Sequence, residues 1–365
     1  MSPTAKDLWR FYACENSYFS AKVRPALRTK GLHFAELLPT PAAYRDVILP
    51  RTGLAFLPIV ITPEDETLQD TSEILDALER RIPLPPLYPT SARQRVTAYL
   101  LELYADEFLL LPAMHYRWST AEGEAAARAD FAAVSGDAAS AGRFADRMHG
   151  SIRLLGVTPE TAPAIEAHAL ALFDALSVHF AAHPFLLGDR PSLADCALMG
   201  PLYAHLRLDP VPQRILRERA LPVLQWIERM NHPEPDADGG WLPEDALAPT
   251  LRPVLELVGQ DAVPLLLANV AAFERWADVR DPALETPPRG VGVHDAALRG
   301  IPMPRYTSPY TGWMLQRPLD AYRALDAAAR SAVDAALAGT GCEKLFAFRP
   351  RHRLAKRRFQ LVFEG

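Results

Sequence analysis

The chain has 365 residues, 49% of them hydrophobic and 23% charged, which is ordinary globular usage and enough for two or three domains. A net charge of -5 gives no sign of a nucleic-acid partner. Three scattered cysteines (Cys14, Cys196, Cys342) exclude a disulfide framework and point to a reducing, cytoplasmic setting. Met1–Asp7 carries no apolar secretory stretch, and no apolar run approaches the roughly 20 residues of a membrane span, so neither secretion nor a membrane partner is expected.

Leu8–Ala13 is a first strand, and Ser17–Lys30 a helix stopped by Gly31, a residue that suits a helix C-terminus. Pro25 falls inside it and predicts a shorter or bent helix. Leu32–Leu38 is a second strand and Pro41–Leu49 a short irregular helix. Leu57–Ile61 and Thr67–Gln69 form a hairpin, and Asp70–Arg81 is the closing helix. This β-α-β unit followed by β-β-α predicts a small mixed sheet with helices on both faces.

The proline-rich stretch 82–89 is a linker, because it fits neither a regular helix nor a central strand. From Ser91 to Met230 the pattern is helical, with breaks near Gly136, Gly156–Pro159 and His183–Pro184, giving five or six helices. His232–Gly240 is a second linker. In residues 241–365, Ala262–Val279 and Pro318–Ala338 are predicted helical, and Lys344–Phe348 and Arg358–Phe363 are predicted strands around a basic turn.

Two local patterns carry chemistry, and a third reports on the fold. Pro58 stands where a central strand begins, which keeps a backbone group out of the ladder and suggests a cis peptide bond. Asp70, Thr71 and Ser72 place a carboxylate and two hydroxyls at a helix N-terminus, a natural seat for a small anion. Ser192 followed by Asp195 is a capping box opening an apolar helix, and it reports on fold rather than chemistry.

Phe185–Asp195 resembles the buried-helix motif of the glutathione transferase superfamily. Leu57-Pro58 and Asp70–Ile74 resemble its glutathione-site motifs, and Ser17–Arg24 its first-helix motif. The resemblance spans about residues 7–232. It implies a thioredoxin-like domain over 7–82, an all-α acceptor domain over 90–232, and an extra mixed α/β extension over 241–365 that it does not cover. It implies glutathione as co-substrate, a small hydrophobic electrophile as the second partner, and a homodimer.

By the same resemblance Ser17 holds the glutathione thiolate, as in serine-type members. Leu57, before Pro58, offers its backbone to the cysteinyl unit, Asp70 with Thr71 grips the γ-glutamyl end, and Phe19 is a further glutathione-binding residue. Each has a plainer role as well: Ser17 as an N-cap, Pro58 as a strand-edge proline, Asp70 as a helix cap. The basic residue that the family often sets just before the proline element is missing from Gly53–Phe56, which leaves Arg51 as substitute for the glycine end. Cys14, three residues before Ser17, falls on the strand end, and its redox activity stays open. Tyr104, His115 and Trp118 line an acceptor pocket or pack between helices. His179 and His183 share a helix face without further ligands, so no metal is expected. The basic run 349–358 is a solvated hairpin tip or an anion contact, and Arg305–Trp313 is a lid or a tie to the α domain. A conjugating transferase is the first reading. A non-catalytic binding or scaffold module is the second, and a glutathione-dependent lyase, dehalogenase or isomerase the third.

Overall fold

The computed structural model describes residues 8–233 and 239–364, so Met1–Asp7 and most of the linker predicted at 232–240 lie outside the described residues. The first unit runs β1 (Trp9–Tyr12), α1 (Tyr18–Thr29), β2 (Phe34–Leu37), α2 (Pro41–Ala43) and α3 (Leu49–Thr52). It ends with β3 (Ile59–Ile61), β4 (Thr67–Gln69) and α4 (Thr71–Arg81). A π-helical turn at Tyr44–Ile48 joins α2 to α3, so the irregular helix continues past Leu49 to Thr52. The sheet order is β2-β1-β3-β4, with β1 parallel to β2 and antiparallel to β3. Phe11 and Val60 face the α1 and α4 side, while Tyr12, Ile59 and Ile61 close over Ile48 on the other. This alternation is the period-2 pattern of a sheet buried on both faces. Despite Pro25, α1 runs on to Thr29 with ten of its residues buried.

Eight helices follow rather than five or six: α5 (Ala92–Glu107), α6 (Leu110–Trp118), α7 (Ala121–Ser135), α8 (Ala138–Ser151), α9 (Ala162–Ala182), α10 (Leu193–Pro201), α11 (Pro210–Arg219) and α12 (Leu221–Asn231). The missed breaks are caps without glycine, such as Thr120, whose Oγ1 accepts from Gly123 N at 3.1 Å. Ser192 and Asp195 form the expected capping box, and Asp195 also accepts from Leu186 N and Trp226 Nε1, both at 3.0 Å. That fixes α10 in the core against α1, where Gly200 lets Tyr18 approach so closely that a Cβ would sit 3.0 Å from it.

The extension is mostly helical. It comprises α13 (Arg252–Leu257), α14 (Val263–Asp278), two small strand pairs β5 (Val293–His294) with β8 (Arg305–Tyr306) and β6 (Ala297–Leu298) with β7 (Ile301–Pro302), then α15 (Pro309–Arg323), α16 (Ala327–Leu337) and α17 (Glu343–Ala347). A hairpin of β9 (Leu354–Arg357) and β10 (Gln360–Phe363) follows. The helix expected over 318–338 is thus two helices. Pro309 opens the first, and Asp326 caps the second by accepting from Ala329 N at 2.8 Å. The strand expected at 344–348 is instead helix α17 over Glu343–Ala347, because Leu345 and Phe346 both bury and Phe346 packs on Tyr322 at 4.8 Å. Two helical stretches, Ala162–Ala182 and Pro249–Asp278, reach membrane-spanning length and hydropathy by length and composition alone. Half or more of each is buried inside the fold.

Candidate functional site at the start of α1 and α4

Ser17 sits where β1 gives way to α1. Its backbone is extended (φ -85°, ψ 121°), and its Oγ accepts from Ser20 N at 3.3 Å, so it caps α1. The first turn of α1 holds no acidic residue, so the positive end of the helix dipole there is uncompensated. Arg24 fixes the preceding loop through Cys14 O at 3.2 Å and Glu36 at 2.6 and 2.8 Å. The Tyr18 hydroxyl donates to Ala105 O on α5. Phe19 lies beside Tyr18, ring centroids 5.1 Å apart, on the half-buried rim. Ser17 is half-buried and reachable. Burial pushes the Cys14 thiol up to about 11 despite Arg24, so it stays protonated at neutral pH and is a poor nucleophile.

The Leu57-Pro58 bond is cis. Ladder pairing of β3 starts only at Ile59, opposite Tyr12 and Gln69, which leaves the Leu57 main chain at the sheet end outside the register. Arg51 does not point along this edge. Its guanidinium grips Asp65 at 2.8 and 2.9 Å and Thr67 Oγ1 at 3.1 Å, closing the β3–β4 turn. Arg289 of the extension lies over the Phe56 ring at 4.6 Å, one residue before Leu57. No sequence signal marked it.

At the other end Asp70 adopts φ 76°, turns the chain from β4 into α4, and caps α4 by accepting from Ser72 N at 3.1 Å through Oδ1. Its Oδ2 is occupied: Tyr310 Oη and Lys356 Nζ each donate to it at 2.8 Å. Asp70, Thr71 and Ser72 are all buried. Ser72 Oγ donates to Glu102 at 2.7 Å and accepts from Lys22 Nζ at 3.1 Å. Lys22 also meets Asp106 at 2.5 Å, and Arg317 bridges Glu102 and Asp76. Burial opposes ionisation of Glu102, but Arg317 and Lys22 outweigh it and hold its carboxyl low. Burial pushes the neighbouring Asp106 up. Glu107, bonded to Thr311, is pushed up to about 8 by burial, with Asp106 and Asp70 adding repulsion. Thus Arg305–Trp313 is no loop over the cleft: residues 309–313 open α15, which ties to α5 and reaches Asp70 at once.

The three acceptor candidates separate. His115 and Trp118 line one cavity of about 650 Å³ with His149, Arg153 and Thr158. Trp118 stacks on His149 (5.8 Å, 18°), and His115 Nε2 meets Glu166 at 2.8 Å. Tyr104 is not there. It is fully buried, its hydroxyl 2.6 Å from His168 Nε2, whose Nδ1 meets Asp261 of the extension at 2.7 Å. His179 is engaged by Thr250 and Phe185 O.

Residues 11–86 match the model of the glutathione S-transferase N-terminal domain, and residues 159–229 that of the C-terminal domain. These two stretches of the chain are glutathione S-transferase N-terminal and C-terminal domains. The matched residues hold Ser17, Pro58, Asp70 and the Ser192–Asp195 box, while the extension lies beyond both. Among similar solved structures is a glutathione S-transferase from Methylobacterium radiotolerans in complex with glutathione sulfonate. It is 22% identical with a TM-score of 0.40, covering 63% of this chain and 93% of that one. A glutathione S-transferase from Rhodospirillum rubrum F11 is 17% identical with a TM-score of 0.42, over 68% and 91%. The beta-etherase LigF from Sphingobium sp. strain SYK-6 is 15% identical with a TM-score of 0.45, over 62% and 96%. No curated protein matches the chain.

Proposed function

We propose that this chain takes glutathione as co-substrate and conjugates its thiolate to a small hydrophobic electrophile. The observation that carries the reading is Ser17: a reachable hydroxyl at the start of α1, with no acid in the first turn to cancel the helix field. Lowering a thiol pKa by two units requires about 2.7 kcal/mol. A helix terminus contributes about 0.3–1 kcal/mol and a charge-assisted hydrogen bond about 1.5–3 kcal/mol, so the two suffice together. Leu57 presents its main chain to the cysteinyl unit, and Asp70 with Thr71 forms the γ-glutamyl end. The sulfur lone pair forms the new carbon–sulfur bond, and the leaving group departs with the electrons of the bond that breaks. Homodimerisation belongs to the same reading and is checked by light scattering.

Conjugation kinetics of Ser17→Ala test this. Turnover should fall far more than glutathione affinity, whereas equal loss of both assigns Ser17 to binding alone. A second reading, a non-catalytic binding module, is favoured by the engagement of Asp70 with Lys356. No retention on immobilised glutathione together with no conjugating activity would select it. Product analysis separates a lyase or isomerase from a conjugating enzyme.

A further inference from the structure

The end of the site that should receive a ligand ammonium already holds one. Lys356 Nζ lies 2.8 Å from Asp70 Oδ2, and Tyr310 Oη donates to the same oxygen at 2.8 Å. The side chains of Lys356 and Asp70 are 12% and 6% exposed, so the pair is largely shielded from solvent. Lys356 is further held between aromatic faces, 5.0 Å from the ring centroids of both Tyr310 and Trp313. A ligand cannot offer its own ammonium to Asp70 while this arrangement stands. One carboxylate oxygen already accepts two hydrogen bonds, and the other caps α4.

The hairpin that delivers Lys356 is built unevenly. Its base is anchored: Leu354 is buried and exchanges hydrogen bonds with Gln316 at 2.8 and 2.9 Å, while Phe363 stacks on Phe273 and lies under Arg280. Its tip is not. Arg357, Arg358 and Gln360 are exposed, and a cleft of about 320 Å³ between the tip and α4 is lined by Glu73, Arg81, Lys356, Arg358 and Phe359. Arg358 and Phe359 form a two-residue turn with φ 49° and 68°, a left-handed conformation that disfavours bulky side chains. Strain at the tip, space beneath it and a firm base are what a displaceable arm requires.

We propose that Lys356, positioned by Tyr310, is a specificity-determining residue. It competes for Asp70 with the α-ammonium of a γ-glutamyl thiol, so such a ligand gains that contact only by displacing the tip of the β9–β10 hairpin. The inference rests on the glutathione reading of the site. In the parent chain the cost of displacing Lys356 offsets most of what the Asp70 contact contributes, and a thiol lacking the α-amine is bound nearly as well as glutathione.

The test is equilibrium binding, by calorimetry, of glutathione and of its deamino analogue (glutaryl-cysteinyl-glycine) to the full chain and to Lys356→Met and Tyr310→Phe. The parent should bind the two thiols within about two-fold of each other. Lys356→Met should bind glutathione roughly ten-fold or more tighter than the parent, with the analogue unchanged, because the competing state is removed. Tyr310→Phe, which keeps the packing, should move in the same direction by less. Hydrogen exchange at 355–361 should quicken when glutathione binds the parent. If glutathione binds but the parent prefers it ten-fold over the analogue, or if Lys356→Met leaves both affinities unchanged, the competition is wrong while the glutathione reading stands. If no variant binds either thiol, the reading itself falls and the inference with it.

Discussion

The two ends of the candidate site are built in opposite ways. The Ser17 end, proposed to take the thiol, is local and open: Ser17, Cys14 and Arg24 lie within ten residues of one another, and Ser17 is reachable from solvent. The Asp70 end, proposed to take the γ-glutamyl group, is remote and covered. Asp70 is bonded by residues 240 and 286 positions further along the chain, and the Lys22–Glu102–Asp106–Arg317 cluster sits directly beneath it. Both ends start from a helix N-terminus capped by its own side chain, so capping alone does not tell a ligand seat from a structural joint. What distinguishes them is whether the rest of the fold has used the remaining polar valences.

This contrast predicts that stability is concentrated at the covered end and chemistry at the open one. Glu102→Ala, which leaves Lys22 and Arg317 buried without their shared carboxylate, should lose about 3–5 kcal/mol in urea unfolding. A loss under about 1 kcal/mol would break the comparison, since an exposed ion pair is worth that much. Ser17→Ala should cost about 1 kcal/mol or less of stability as a lost cap. Its turnover should fall roughly 10–100-fold, the worth of a charge-assisted hydrogen bond to the sulfur.

The dependence on pH sharpens the contrast further. His205, whose ring lies 5.5 Å from Tyr18 beside the Ser17 end, is held down at about 4 by burial and by Arg117. Its unfolded value is about 6.5, so the unfolded chain binds more protons in between. Its share of stability is therefore complete above about pH 6.5 and is lost as the pH falls toward 4, by up to about 1.4 kcal/mol per pH unit. Replacing His205 with Gln should flatten that slope in acid unfolding curves. The smallest effect is expected of Arg51→Ala. With its fork on exposed Asp65, glutathione affinity should change less than about two-fold and stability by under about 1 kcal/mol.

The local signals at both ends were legible because they are spacing rules: a serine at a strand-to-helix junction, a proline at a strand start, an acid-hydroxyl pair before a helix. The Ser192–Asp195 box was legible for the same reason and located the buried helix. Lys356 was not legible. It stands in a run of basic residues that reads as a solvated tip, and nothing local marks it as the member of that run that reaches Asp70. Tyr104 misled for a related reason: an aromatic on a helix facing a presumed pocket has the same spacing as one whose hydroxyl closes a buried chain to His168 and Asp261. Leu345-Phe346 was misread because five residues carry no period, so tertiary packing on Tyr322 decided between helix and strand.

The most direct test of the unequal ends is a crystal structure of the chain with S-methylglutathione. The account predicts the ligand sulfur beside Ser17 Oγ, the ligand ammonium on Asp70, and Lys356 withdrawn with its hairpin tip. A bound ligand whose ammonium rests elsewhere while Lys356 stays on Asp70, or whose sulfur lies away from Ser17, would contradict it.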